Sequence, residues 1–432
     1  MAETRPTIWM DLTTSLRARG GQNNGTLRVE RSFARELQPL LGATLRFCRY
    51  DATRQRFEGV DASALAEAIQ TSAATVRRGP GASDARAERL GRRIERAVRL
   101  TVRGAIRRLH GALRGSDNIA AHFPDAQSGD VLLLAGENWS GRTDFGVLAR
   151  LSSERGLRIA AVCQDLIPVT HPQFFETGEF VAQYRRYVEF LARHTDLVIA
   201  ISRATADELK KAAEAYGGMR GTIAVVELGS DVASAAAPRP PQTEPPLQAG
   251  RFVISISTIQ ARKNFDLLYR LWHRFAQEGR SDIPRLVIVG QRGFGSDDLL
   301  ATIAQDTTVR DHLTILHHTS DAELTWLYRN CAYTLYPSYV EGWGLPVSES
   351  LTYGKLCLAS NTSSLPEAGA GLALHFGPDE DDAWHAAIID LAANPRKLAE
   401  AEARIRAGYK PRSWQQAGVE LADHLNALLV RK

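Results

Sequence analysis

Cysteine is scarce in this sequence: it has four in 432 residues, and none forms a C-x-x-C pair or a spacing typical of metal ligands. Each cysteine lies in or beside an apolar run, which is typical of small core residues in a reducing compartment. We therefore expect neither a disulfide framework nor a cysteine-based metal site.

Long apolar segments are also missing. No run approaches the ~18–20 apolar residues of a membrane-spanning helix, and residues 1–19 contain no apolar core like that of a signal peptide. The 44% apolar and 24% charged content is ordinary for a soluble globular protein. We expect a cytoplasmic protein, either soluble or peripheral on the inner face of the cytoplasmic membrane.

The chain is longer than one hydrophobic core usually serves. Its 432 residues exceed the ~250–300 residues of a typical single core, so two domains are expected. A proline-rich stretch ending at Gly250 marks the boundary. We predict a first domain over residues 1–235, a linker over 236–250, a second domain over 251–412 and a C-terminal helix over 413–432 that could cross back to the first domain.

Both halves alternate apolar strands with helical segments, which favours parallel sheets. Near the start, a strand over Thr7–Leu12 precedes a glycine- and asparagine-rich loop that ends with Asn24 and Gly25, and a helix follows. This order opens a Rossmann-like domain, although the G-x-G-x-x-G fingerprint is absent and an ordinary strand-to-helix turn is the alternative. We predict an α/β protein with two Rossmann-like, doubly wound domains.

Residues 62–121 interrupt this alternation and predict a helical insertion. The stretch Arg86–Arg114 holds ten arginines against two glutamates, with apolar residues at helical spacing. A basic amphipathic helix of this kind can lie on an anionic membrane surface; a helix packed on the domain with a solvated charged face is the alternative. Nucleic-acid binding is disfavoured because the arginines are not interleaved with aromatic residues.

The stretch around Glu341 carries the most chemistry. A buried strand predicted over Tyr333–Tyr336 leads through Gly342 and Gly344 into a helix with a proline in its first turn. The carboxyl end of a parallel strand is a common ligand site, and unpaired N–H groups at a helix start favour anionic oxygen. On spacing alone, Glu341 and Glu349 are either ligand-binding acids or a turn acid and a solvated helix residue.

Several motifs together resemble retaining GT-B glycosyltransferases of family 4. PSYVEGWGLPVSES at 337–350 resembles the family's E-x7-E signature. TIQARKN at 258–264 resembles the loop after the first strand of its second domain, and SNTSSLPE at 360–367 resembles its SN-x-SSLPE segment. DLIP with HP at 165–172, DLVIAIS at 196–202 and GTLRVE at 25–30 resemble first-domain landmarks, the last as in cell-surface polysaccharide members.

The resemblance implies a GT-B fold with a cleft between its domains, and sugar transfer from a nucleotide diphosphate without a required metal or other cofactor. Charge develops on the departing diphosphate, so fixed cations and N–H dipoles should supply most of the catalysis. By position, the residues implied in catalysis are Glu341, Lys263, Arg262 and Asp165. Those implied in donor binding are Glu349, Gly342, Trp343, Gly344, Leu345, Gly25, Gln164 and Ser338. Those implied in acceptor binding are Asn24, Arg28 and His171.

The family also suggests how configuration is retained. No obvious acceptor-side residue supplies a nucleophile, so the leaving phosphate would take the acceptor proton on the same face. Gln164 departs from the pattern because many members have a histidine there, and glutamine cannot titrate. Ser257, Gln260 and Ala261 replace the usual Gly, Glu and Pro, but the two cations of the loop are kept.

The resemblance implies a donor and an acceptor without fixing either. GDP-mannose is the first expectation for the donor, with UDP- and dTDP-linked sugars close behind. The acceptor is expected to be a saccharide or lipid-linked saccharide in bacterial surface polysaccharide synthesis. The alternatives are another GT-B enzyme, such as a nucleotide-sugar epimerase or a glycogen-type elongating enzyme, and a non-catalytic GT-B scaffold.

Overall fold

The computed structural model describes residues 6–18, 25–61, 118–175, 177–231 and 237–430. The predicted helical insertion, with its basic stretch Arg86–Arg114, and the acceptor residue Asn24 lie outside the described residues. Within those ranges no helix is long and apolar enough to cross a membrane.

The N-terminal half is built on a seven-stranded sheet. Its strands are β1 (Ile8–Asp11), β2 (Leu45–Asp51), β3 (Arg56–Gly59), β4 (Val131–Leu134), β5 (Arg158–Cys163), β6 (Leu197–Ala200) and β7 (Thr222–Val225), in the order β3-β2-β1-β4-β5-β6-β7. Every neighbouring pair is parallel except β2 and β3. Strands β1, β4 and β6 are buried along their whole length and are apolar except for Asp11, as expected where helices cover both faces.

Helices connect these strands. They are α1 (Thr13–Arg17), α2 (Gly25–Leu41), α3 (Phe145–Arg155), α4 (Ile167–Thr170), α5 (Gly178–His194) and α6 (Arg203–Ala213). Ser202 caps α6, its hydroxyl accepting from Thr205 N at 2.9 Å. The antiparallel edge strand β3 was not predicted, because its four residues RFEG carry no apolar run.

The C-terminal half has a six-stranded, all-parallel sheet. Its strands are β8 (Phe252–Ile256), β9 (Arg285–Val289), β10 (Leu313–Leu316), β11 (Thr334–Tyr336), β12 (Cys357–Ser360) and β13 (Leu374–Phe376), in the order β10-β9-β8-β11-β12-β13. The helices are α7 (Phe265–Gln277), α8 (Asp297–Gln305), α9 (Asp321–Asn330), α10 (Leu345–Thr352), α11 (Leu365–Ala368), α12 (Asp381–Ala393), α13 (Pro395–Gly408) and α14 (Trp414–Val430).

The last helix, α14, returns to the N-terminal half and packs on α2. The Trp414 ring meets Phe33 edge-on at 5.9 Å between centroids, and Leu421 and Leu425 are fully buried in the core that also contains β1 and β4. The same core continues into the C-terminal half through Trp343 and Val347. A continuous apolar core therefore joins the two sheets.

The two sheets face each other through the loops at the carboxyl ends of their strands. Gly342, which follows β11, approaches Gln164, which follows β5. Glu367, which follows β12, contacts the start of α6, which follows β6. Open parallel sheets bind ligands at this edge, so the cleft between the halves is the natural place for a substrate site.

Candidate active site

The turn after β11 brings the backbone close to its neighbours. Gly344 has a φ of 110°, in the left-handed region, and caps the start of α10. A Cβ at Gly344 would lie 2.6 Å from Leu365 Cδ2, so packing as well as conformation requires glycine. Ser364 Oγ donates to the carbonyls of Glu341 and Trp343 at 2.9 and 2.8 Å, which holds the turn in place.

Gly342 is required where the two halves come close together. Its φ is not in the left-handed region. A Cβ there would instead come 2.0 Å from the backbone oxygen of Gln164, in the opposite half. In this structure, glycine at 342 allows the two halves to touch.

The loop after β8 supplies two cations to the same place. A turn of 3-10 helix over Ala261–Lys263 places Arg262 and Lys263 side by side. Arg262 Nη1 lies 2.8 Å from Glu341 Oε2 and also donates to Val340 O at 2.6 Å. Lys263 Nζ donates to Glu341 Oε1 at 2.5 Å and to Tyr336 Oη at 2.9 Å. Both predicted phosphate-binding cations therefore meet the predicted sugar-binding acid.

The charges in this cluster set one another's pKa values. Burial alone would raise the pKa of Glu341, but Arg262 and Lys263 outweigh it and hold that pKa at about 2. Burial and the neighbouring Arg262 charge lower the pKa of Lys263 to about 8, against the pull of Glu341. Arg262, Lys263 and Glu341 together are therefore net cationic at neutral pH.

Asp165 and Gln164 form the opposite wall. Asp165 is half-buried; desolvation raises its pKa, and the charge of Arg262 opposes that rise. One of its oxygens accepts from Ile167 N at 3.0 Å and so caps the short helix α4. Gln164 donates from its side-chain amide to Ala135 O at 3.2 Å. Asp165 thus joins the predicted cluster, while the Gln164 amide is held by its own domain.

Glu349 and Arg28, predicted to bind different substrates, form an ion pair with each other across the cleft. Glu349 Oε2 also accepts from Tyr328 Oη at 2.7 Å, so both carboxylate oxygens are engaged. The guanidinium of Arg28 lies 6.0 Å from the Trp414 ring centroid. The assignments to ribose and acceptor stay predictions; they require this ion pair to exchange partners with a ligand.

His171 lies at an aromatic stack that spans the cleft. Its ring is stacked on Phe174 at 6.2 Å, and Phe174 is stacked on Tyr339 of the other half at 5.6 Å. Burial and the charge of Arg262 both lower the pKa of His171, which favours a neutral ring. An acceptor sugar could meet aromatic faces here.

The remaining predicted site residues differ in how far they are buried. Ser338 and Trp343 are buried beside the turn, with Ser338 O accepting from Thr362 Oγ1 at 3.3 Å. Leu345 is half-buried at the start of α10. Gly25 begins α2, where a Cβ would meet nothing within 4 Å, so nothing in the described residues requires glycine there.

A second group of polar residues in the N-terminal sheet was missed from the sequence. Asp11 ends β1 and accepts from Asn138 at 3.2 Å, and Glu30 of α2 is fully buried nearby. Gly136 lets Glu30 approach the end of β4, since a Cβ there would lie 2.6 Å from the carboxylate. Burial and the charge of Asp11 raise the pKa of Glu30 well above its usual value. The signal available in the sequence for this group was Asp11, an acidic residue at the end of a strand.

Similarity to solved structures identifies the fold. The chain matches a sucrose-phosphate synthase from Thermosynechococcus elongatus with a TM-score of 0.60, covering 98% of this chain and 99% of that one at 16% identity. It matches HepE from Anabaena, solved with UDP and glucose, with a TM-score of 0.58, covering 98% and 100% at 15% identity. The chain has the GT-B fold.

Sequence comparison then gives the family. Residues 242–410 match the family model described as glycosyl transferases group 1. The chain is 31% identical over 164 residues to O-antigen chain mannosyltransferase B of Escherichia coli. That match covers 38% of this chain and 42% of the relative, which is less than half of the relative's length.

Proposed function

We propose that this protein is a retaining glycosyltransferase that moves a sugar, mannose from GDP-mannose in the first instance, to a saccharide or lipid-linked saccharide hydroxyl. One observation carries the proposal: Arg262, Lys263 and Glu341 form a single buried cluster at the carboxyl edge of the C-terminal sheet. Residues that the sequence separates by 78 positions meet there.

The cations suit the leaving diphosphate. Arg262 presents a planar fork that can bind phosphate oxygens in pairs, and Lys263 adds a compact point charge. Both lie in a loop after a parallel strand, close to the start of α10, whose first N–H groups also favour anions. Together they would stabilise the negative charge that develops as the glycosidic bond breaks.

The acid suits the sugar. Arg262 and Lys263 hold the pKa of Glu341 at about 2, so at neutral pH the carboxylate is ionised and can accept hydrogen bonds from sugar hydroxyls. When a donor enters, its diphosphate would take Arg262 and Lys263 from Glu341, and its sugar would take the freed carboxylate oxygens. The cluster is thus preorganised with its own charges paired.

In our proposal no protein nucleophile forms. Asp165 has a raised pKa and is engaged in capping α4, which suits a positioning role better than attack on the sugar. The acceptor oxygen attacks from the side of the departing phosphate. A phosphate oxygen takes the acceptor proton as the bond to the leaving group breaks.

The acceptor site is proposed from fewer contacts than the donor site. We place the acceptor near His171 and Arg28, with the basic stretch Arg86–Arg114 holding the protein to an anionic inner leaflet. Deletion of that stretch should abolish binding to vesicles containing phosphatidylglycerol. Unchanged vesicle binding would remove the membrane part of the proposal without touching the transfer reaction.

Product analysis tests the reaction. Purified protein is incubated with GDP-mannose, UDP-glucose or dTDP-rhamnose and a panel of saccharide acceptors, and the product's anomeric configuration is read by proton NMR. We expect transfer from one donor with retained configuration, and its loss in an Arg262→Met, Lys263→Met double variant. Inversion, isomerised donor without acceptor, or donor binding without any turnover would each contradict the proposal.

A further inference from the structure

A contact between the two halves lies outside the residues assigned above. Helix α6, in the N-terminal half, has no acidic residue in its own first turn. The carboxylate that lies there belongs to Glu367, of α11 in the other half. Glu367 Oε2 accepts from Arg203 N at 2.8 Å, and Oε1 accepts from Ala204 N at 2.8 Å.

This contact completes the cap of α6. The first N–H groups of a helix have no partner within it and make that end positive. Ser202 satisfies one of them, at Thr205, and Glu367 satisfies the two before it. The charge that complements the helix therefore comes from the opposite side of the cleft and is present only when the halves are together.

The segment that contains Glu367 also holds the Glu341–Gly344 turn, to which sugar binding is assigned in the proposed function. Ser364, three residues before Glu367, donates to the carbonyls of Glu341 and Trp343. Leu365 packs against Gly344. From the other half, Thr205 Oγ1 donates to Gly342 O at 3.3 Å. Helix α11 thus contacts the Glu341–Gly344 turn directly. Through Glu367 it also contacts α6, whose Thr205 contacts the same turn.

We propose that Glu367 is a positioning residue that holds the cleft closed by capping α6 across it, and so fixes the Glu341–Gly344 turn against the N-terminal half. The consequence for turnover rests on the proposed function. The consequence for domain closure does not, because it follows from the contact alone.

Spin labels on the two halves measure closure directly. The cysteines of the protein are all buried, so exposed sites Glu179→Cys and Arg396→Cys can be labelled and their separation read by double electron–electron resonance. With Glu367→Ala we expect the separation to lengthen and broaden. Glu367→Gln should lie between, because the amide keeps one acceptor oxygen but no charge.

Asp144→Ala is the matched control. Asp144 caps α3 within one half, accepting from Gly146 N and Val147 N at 2.9 and 3.3 Å. Its loss should lower the melting temperature about as much as Glu367→Ala does, since each change removes a carboxylate cap worth roughly 0.5–2 kcal/mol. The control should leave the label separation unchanged.

Kinetics separate positioning from folding. Glu367→Ala should lower kcat for sugar transfer at least ~10-fold, as expected when charge-assisted hydrogen bonds are lost from the closed state alone. The dissociation constant for the nucleotide should change less than ~3-fold, since its contacts lie in one half. Unchanged label separation in Glu367→Ala, or equal loss of kcat in Asp144→Ala, would overturn the proposal. An inactive wild type would contradict only the proposed function, because the label separation is measured without substrate.

Discussion

Lys263 Nζ lies 2.5 Å from Glu341 Oε1, so a predicted phosphate-binding cation forms an ion pair with the predicted sugar-binding acid. Arg262 reaches the other oxygen of the same carboxylate at 2.8 Å. In the proposed function, a bound donor exchanges these internal contacts for contacts to its own phosphates and sugar.

Donor affinity should fall in alkaline solution. The pKa of Lys263 is lowered to about 8, so in the free protein this side chain loses its proton as the pH rises through that value. A nucleotide diphosphate binds the protonated form, and its own phosphates are already ionised above pH ~7. The dissociation constant should rise, approaching about tenfold per pH unit above 8, when followed by calorimetry. Lys263→Arg should flatten the rise, and an equal slope in that variant would assign the titration to another group.

Glu341→Gln should separate nucleotide binding from transfer. The substitution removes the charge that neutralises Arg262 and Lys263, so free GDP should bind at least as tightly as to the wild type. Transfer should fall at least ~100-fold, because the acceptor for the sugar hydroxyls is lost. The protein should also unfold at a lower temperature, since breaking a buried pair costs about 3–5 kcal/mol. Glu154→Gln, which breaks an exposed pair with Arg150, is the control; weakened GDP binding in Glu341→Gln would contradict this account.

Gly342→Ala should keep the cleft from closing. The added Cβ would meet the backbone oxygen of Gln164 at 2.0 Å, and backbone cannot move aside as a flexible side chain can. We expect transfer to fall at least ~100-fold, as for a misplacement of about 1 Å in a positioned site, with nucleotide affinity nearly unchanged. Gly408→Ala, at a position where a Cβ meets nothing within 4 Å, should have wild-type activity. Full activity in Gly342→Ala would show that this contact is dispensable.

Glu30→Gln should stabilise the protein at neutral pH. Burial raises the pKa of Glu30 well above its usual value, so the folded state holds a proton there that the unfolded state has released. Stability from this group is therefore present at low pH and is lost as the pH rises above the unfolded value of about 4.5. Glutamine has nearly the same size as glutamate but does not ionise, so this loss of stability at higher pH does not occur in the variant. The melting temperature should rise at pH 7.5 and change little at pH 4; a lower value at pH 7.5 would mean that Glu30 is ionised and paired.

The sequence predicted most of the scaffold because its signals are local. The strands predicted over Thr7–Leu12 and Tyr333–Tyr336 fall within a residue of the ends of β1 and β11, and the strand-to-helix turn before α10 was recognised from residue type alone. The family motifs placed Arg262, Lys263 and Glu341 on strand-end loops, and the parallel topology brings those loops together.

The sequence did not predict contacts that depend on how the halves meet. Arg28 and Glu349 are 321 residues apart and were assigned to different ligands, yet they pair. The role of Gly342 depends on Gln164, and the burial of Glu30 depends on the absence of a side chain at Gly136. Such relationships arise from packing between distant segments, for which a single sequence carries no periodic signal.

The central claim is that Arg262 and Lys263 form a nucleotide-diphosphate site, and titration calorimetry tests it most directly. GDP, UDP, dTDP and GMP are titrated into the wild type and into the Arg262→Met, Lys263→Met variant. We predict saturable binding of one diphosphate, GDP first, at least ~10-fold weaker binding of the monophosphate, and loss of binding in the variant. Absence of binding by any diphosphate, or equal affinity in the variant, would contradict the account.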